Sequence, residues 1–265
     1  MPRKTIFSTD YDAAVRQGRS QGTGSSYRPG ITVRDTASIA TCTRLWSPKL
    51  GRVVHLLSNG ETEAFLQFEW LNSVIDIREQ FFLDPVSTHE ICRELNLIHP
   101  RFRGRDVVMT TDFLITRRKD GRTWLEAYQV KRGPEDLTPR TKAKLKIESL
   151  YWERRGVEWC VLFSKNFNPV LCSNLKRLHM WRSRVLSAAD AFRLVRLFLL
   201  ARRCWPEARS NEIPHPGVGL ESGEHLSFAQ CIEVLAAHHG LEFPIREIKV
   251  DECPLALFEE VRDAA

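Results

Sequence analysis

A mixed α/β domain followed by a smaller, mainly helical region is the fold class that this 265-residue sequence predicts. Three observations predict it. Two strand-like runs, Arg105 to Thr116 (RDVVMTTDFLIT) and Arg122 to Lys131 (RTWLEAYQVK), are joined by Asp120-Gly121, a dipeptide suited to a two-residue hairpin loop. Helical periodicity brackets this pair, so strands and helices alternate within one segment. Beyond residue 172 the strand signals thin out and capped helices take over.

Residues 1 to 40 contain Gly18, Gly22, Gly24 and Gly30 with few apolar residues, so an extended basic arm is expected there. Its Arg3, Lys4, Arg16, Arg19 and Arg28 suit either a solvated tail or contact with an anionic partner. Ser58 to Leu71 reads as a helix, because Ala64, Phe65, Phe68 and Leu71 recur at helical spacing. The hairpin follows. Thr141 to Arg155 is a second helix closed by Gly156, and Glu158 to Ser164 (EWCVLFS) a buried strand. Further on, Ser187 caps a helix reaching about Cys204, and Ser227 another that reaches His239 with Gly240 as its stop. The expected organisation is therefore an arm (1–40), a mixed α/β domain (41–172) and a helical C-terminal domain (173–265). Trp70, Trp124, Trp152 and Trp159 fall within these elements and are read as core packing.

Composition narrows the function classes. Lys and Arg number 39 against 33 Asp and Glu, a net charge of +6, which suits a polyanionic partner. Seven scattered cysteines with no C-x-x-C pair suit a reducing cytoplasm and exclude a cysteine-built zinc site. The most apolar segment, Phe192 to Ala201, is broken by Arg193 and Arg196, so no membrane span is expected.

The chemistry lies in the hairpin register. If Asp120-Gly121 is the loop, Lys119 faces Arg122; counting back, Asp112 faces Gln129 and Thr110 faces Lys131. Side chains two apart share a face, so Lys131 is also the diagonal neighbour of Asp112. Such a patch can hold magnesium, which takes hard oxygen ligands and keeps several waters. Asp112, the Gln129 carboxamide oxygen and the Val130 carbonyl supply oxygens, and Lys131 can orient an attacking water and offset charge on phosphorus. Asp112 and Lys131 also fit a plain cross-strand salt bridge.

Because Gln129 is neutral, a second carboxylate is needed. Glu61 is the candidate, lying on the apolar face of its helix, although Ser58-Asn59-Gly60-Glu61 equally fits a capping box. Glu148, flanked on its helix face by Leu145 and Trp152, can add a carboxylate or orient the lysine, or be an ordinary amphipathic-helix glutamate. His55 and His99 suit structural hydrogen bonds, and His238-His239 a helix C-terminus.

These residues, and the stretches GRSQGTG (18–24), GRVVHLLS (51–58), FEWLNSVIDIREQF (68–81), HPRFRG (99–104), MTTDFLI (109–115), QVK (129–131) and YW (151–152), resemble the PD-(D/E)xK nuclease superfamily. Within it they are closest to the TnsA family, the endonuclease subunits of heteromeric cut-and-paste transposases. The likeness covers about residue 13 to about 180. Gln129 departs from the acidic residue of the broad superfamily pattern and agrees with TnsA.

The resemblance implies a restriction-endonuclease-like mixed sheet flanked by helices, with a winged-helix-like C-terminal domain. Glu61, Asp112, Gln129 and Val130 would hold magnesium, or manganese in its place, with Lys131 as the catalytic lysine and Glu148 near the site. It further implies hydrolysis of double-stranded DNA at the 5′ ends of a mobile element, beside an integrase-like transposase and an ATP-binding transposition regulator. The C-terminal domain would dock such partners. Its Arg182, Arg184, Arg193, Arg196, Arg202 and Arg203 fit phosphate or acidic contacts as well as they fit a solvated face. Two other readings stand beside this one: a self-sufficient nuclease for repair or defence, and a non-catalytic scaffold bridging transposase and regulator.

Overall fold

The computed structural model describes residues 6–35 and 41–261, and the chain divides into two compact units, Met1–Asn166 and Phe167–Ala265. In the first, helix α1 (Tyr11–Arg16) precedes the hairpin β1 (Thr43–Ser47) and β2 (Arg52–Leu56). Helix α2 (Asn59–Trp70), strand β3 (Val74–Phe82) and helix α3 (Pro85–Glu94) follow, then the minimal hairpin β4 (Arg101–Phe102) and β5 (Arg105–Asp106). Strands β6 (Thr110–Lys119) and β7 (Arg122–Lys131), helix α4 (Pro139–Glu153) and strand β8 (Glu158–Phe163) complete the unit.

The central sheet has the order β3-β6-β7-β8, antiparallel except for the parallel β7–β8 pair, whose crossover is α4. Asp120 and Gly121 both have positive φ (49° and 75°), the conformation a two-residue hairpin needs. The ladder accordingly pairs Lys119 with Arg122 and runs to Phe113 with Tyr128, the register the loop predicts. On one face α2 lays Phe68 against Phe113 and Tyr128. On the other, Ile91 and Cys92 of α3 pack with Leu114, Ala127, Ile147 and Trp152. This is the restriction-endonuclease-like arrangement, a mixed sheet between helices.

The expected extended arm is corrected by the structure. The described residues 6–35 fold onto the outer edge of β3, whose backbone groups would otherwise lack partners. The Ser20 Oγ accepts from Phe82 N (2.8 Å), the Gly30 amide donates to Gln80 O (3.0 Å), and the Tyr27 hydroxyl donates to Glu79 O (2.9 Å). Arg19, read as either a tail charge or a contact for an anionic partner, pairs with buried Asp35 at 3.0 Å.

The second unit begins with α5 (Pro169–Arg182), continues with α6 (Ala188–Cys204) and α7 (Phe228–Ala237), and adds two-residue ladders, β9 (Val218–Gly219) with β10 (His225–Leu226) and β11 (Leu241–Glu242) with β12 (Glu259–Glu260). It is mainly helical, as expected. The boundary lies at Asn166 rather than Cys172 because α5 belongs wholly to this unit. Its Asn174 amide donates to Ile245 O and Ile248 O (both 2.8 Å) and accepts from Val250 N (2.9 Å). Ser187 and Ser227 cap α6 and α7 as predicted, and α7 closes where His239, one residue before Gly240, turns to φ 58°. No described helix is long and apolar enough to cross a membrane, and none of the seven cysteines, all among the described residues, is in a disulfide.

Candidate active site

Beyond Phe113 and Tyr128 the β6–β7 ladder stops, although β7 keeps its parallel pairing with β8 as far as Lys131. The backbone groups left over at this break are taken up by side chains. The Gln129 carboxamide oxygen accepts from Asp112 N (3.2 Å), and Asp112 Oδ2 accepts from Val130 N (2.8 Å). Asp112, 6% exposed, is thereby fixed in the opening between two strands. Lys131 extends from the same strand with its Nζ 2.8 Å from Val130 O and 3.7 Å from Asp112 Oδ2, so the ammonium offsets the same two oxygens predicted to ligate a metal.

Glu61 reaches back over the start of α2, to the Leu57 amide rather than the Ser58 amide of a capping box, and lies beside Asp112. Ser58 caps α2, its Oγ accepting from Glu61 N (3.2 Å), while the Glu61 carboxylate accepts from Leu57 N (2.9 Å) and from the Ser58 hydroxyl (3.0 Å). The carboxylate is also buried, 7% exposed, and faces Asp112. Burial, then the charge of Asp112, push its carboxyl pKa up to about 7, against the pull of the Leu57 and Ser58 hydrogen bonds.

Glu148 on α4 is not the solvated glutamate of an amphipathic helix: it is 2% exposed. Its Oε1 accepts from the Thr111 hydroxyl (2.7 Å) and the Trp159 indole (2.9 Å), and burial pushes its pKa up to about 8. A cavity of about 260 Å³ is lined by Gln129, Lys131 and Glu148 together with Thr110, Thr141 and Lys144.

Three partners escaped the sequence reading. Gln80 lies beside both acids, its Nε2 donating to Glu61 Oε2 (3.2 Å) and Asp112 Oδ1 (3.3 Å). Its strand was read only as part of the family likeness (68–81), with no role for the glutamine, and a φ of 50° leaves no mark in a sequence without glycine at that position. Trp152 and Trp159, read as core packing, use their indole N–H groups to hold Thr111 and Glu148, the usual behaviour of a buried tryptophan with a polar neighbour. Trp124 is 38% exposed rather than in the core.

A second titratable cluster, His89, His99 and Asp106, brings three donor atoms within 4.8 Å of one another. Its rings stack at 3.9 Å and 16°, which aims their in-plane lone pairs side by side rather than at one point, and Arg101 already donates to Asp106 (2.7 Å). Burial and then His89 push the His99 pKa down to about 4, so at neutral pH it is an uncharged ring bonded to Thr88 (3.0 Å). His55 is likewise structural, its Nδ1 accepting from Val33 N (3.4 Å).

Two buried carboxylates, a neutral carboxamide, a backbone carbonyl and one ammonium form an oxygen-rich cluster. A family model described as TnsA-like endonuclease N terminal matches residues 71–164, which contain all of these residues except Glu61. The transposon Tn7 transposition protein TnsA of Escherichia coli is 41% identical over 242 residues, spanning 90% of this chain and 87% of that protein.

Proposed function

The chain belongs to the TnsA family, the endonuclease subunits of transposases, and from that premise we propose that Glu61, Asp112, Gln129, Val130 and Lys131 form its DNA-cleaving site, with a divalent metal, magnesium or manganese, as cofactor. The observation that carries this reading is the break in the β6–β7 ladder, where Asp112 is held by Val130 N and Gln129 beside the Lys131 ammonium. The donor set fits the metal. Every candidate ligand is a hard oxygen, and burial together with the charge of Asp112 raises the Glu61 pKa against the pull of Lys131. Gln129 Oε1 keeps a second lone pair beside the one that Asp112 N uses.

When bound, the metal would offset charge on the scissile phosphate and make water acidic enough to attack at neutral pH. Asp112 and Glu61 fix where that charge sits, since each is tied to backbone amides. Lys131, on a strand paired with β8, places its ammonium to orient the attacking water and to balance charge on the pentavalent phosphorus. Glu148, kept protonated near neutral pH by burial, adds no negative charge to the pocket and positions Thr111 and the rim around Lys131.

The substrate in this reading is the 5′, non-transferred strand at each end of a mobile element, within double-stranded DNA in the cytoplasm. An integrase-like transposase would cut the other strand, and an ATP-binding regulator would contact the complex. The second unit suits docking of such partners, because α6 turns Phe192 and Leu200 outward, 63% and 60% exposed.

Asp112→Ala should abolish 5′-strand cleavage of transposon-end DNA, assayed with the transposase partner and magnesium, while the melting temperature stays near that of the unaltered chain. Full cleavage by Asp112→Ala would overturn the assignment.

A further inference from the structure

Gln80 sits where β3 loses its regular geometry. The pairs Glu79 with Phe113 and Phe81 with Thr111 keep one register on either side, so Gln80 faces Asp112 across the β3–β6 ladder, as Gln129 faces it from β7. Alternation fails at both positions. Glu79 reaches Arg52 and His55 N on the α2 side of the sheet, and Gln80 points to the same side toward Glu61, whereas Phe81 turns to Trp152 on α4. Phe113 packs on Phe68 of α2, Asp112 meets Gln80 beside it, and Thr111 turns to Glu148. The left-handed backbone of Gln80, φ 50°, is what carries its side chain across, in a conformation that side chains other than glycine adopt at a cost.

That conformation is held from outside the sheet. The Gln80 carbonyl accepts from Gly30 N, and the flanking Glu79 O and Phe82 N are taken by Tyr27 and Ser20. Gly30 has no room for a side chain, since an added Cβ would lie 2.6 Å from the Gln80 carbonyl and 2.5 Å from the Phe82 ring. Inside, the 3%-exposed carboxamide uses its oxygen to accept from Thr110 Oγ1 (3.3 Å) and its nitrogen to reach both acids.

We propose that Gln80 is a positioning residue for metal binding: its amide nitrogen ties Glu61 Oε2 and Asp112 Oδ1 together and so fixes the two carboxylates relative to one another. The proposal rests on the reading of Glu61 and Asp112 as ligands. Glycine is at ease at φ 50°, so Gln80→Gly removes the amide without straining the backbone. Leucine fills the same space without a donor.

The test is calorimetric titration of the full chain with manganese in the absence of DNA, with metal-free melting temperatures alongside and Asp112→Ala as control. Gln80→Gly should melt at or above the unaltered temperature yet bind manganese about ten-fold more weakly, the usual effect of losing a group that hydrogen-bonds metal ligands. Gln80→Leu should weaken binding similarly, and excess manganese should restore cleavage by Gln80→Gly. If both variants bind as the unaltered chain does while Asp112→Ala does not, the inference about Gln80 is overturned and the site stands. If Asp112→Ala binds unchanged, the ligand assignment itself falls. Loss of the folded state in both Gln80 variants would overturn the proposal in favour of a purely structural role.

Discussion

The first unit encloses Glu61, Asp112 and Glu148, each under 10% exposed, and offers Lys131 as their nearby cation. The second unit gives its buried acids an arginine each: Asp190 has Arg193, and Glu233 has Arg177, which also reaches Asp251. Burying a carboxylate costs free energy unless a partner or a proton offsets it. In the second unit the offset is built in, and the result is a fold. In the first it is incomplete, and two carboxyl groups respond by holding their protons up to about pH 7 and 8. In the reading proposed above, a divalent cation supplies the positive charge that this unit does not build in.

The first unit also contains the control for this comparison. Arg52 and Glu79, 7% and 0% exposed, form a two-pronged pair at 2.8 and 2.7 Å, beside the site but fully matched. Arg52→Ala would strand a buried charge and should destabilise the chain by about 3–5 kcal/mol, the largest effect expected here. Denaturant unfolding measures it, and a cost under about 1 kcal/mol would break the distinction between matched and unmatched acids.

Glu148→Gln should act in the opposite direction. A carboxyl whose folded pKa is raised contributes its stability below the ordinary carboxylate range and loses it as pH climbs through about 8. The glutamine keeps an oxygen for Thr111 and Trp159 and never ionises. Its melting temperature should exceed that of the unaltered chain by a margin that widens as pH rises toward about 8 and closes near about pH 5. A gap that does not change with pH would show that burial is not what holds the proton.

The smallest effect belongs to the second unit's surface. Arg184 and Glu224 are paired but 34% and 41% exposed, so Arg184→Ala should cost less than about 1 kcal/mol in the same unfolding measurement. A larger loss would show that the surface pairs of this unit also make its fold.

How much of this was legible follows from the physics of each element. The Asp120-Gly121 loop fixed the hairpin register, and with it the meeting of Asp112, Gln129 and Lys131, because side-chain alternation leaves a strand pair little choice. Glu61 needed tertiary information, since its capping role and its place beside Asp112 use the same residue. Gln80 was illegible because its strand departs from alternation at the one position that matters. The glycine-rich start misled: glycine signals close approach as readily as a loose chain, and Gly30 is pressed against Phe82. Helix α5 could have been found, since Asn168 caps it and Pro169 occupies its first turn.

The central claim is that the unmatched acids of the first unit await a divalent cation, and thermal unfolding of the full chain with and without magnesium tests it most directly. A cation that binds only the folded state raises its melting temperature. The unaltered chain should melt higher in magnesium, and the double variant Glu61→Gln, Asp112→Asn should show no such rise; an equal rise in both would contradict the account.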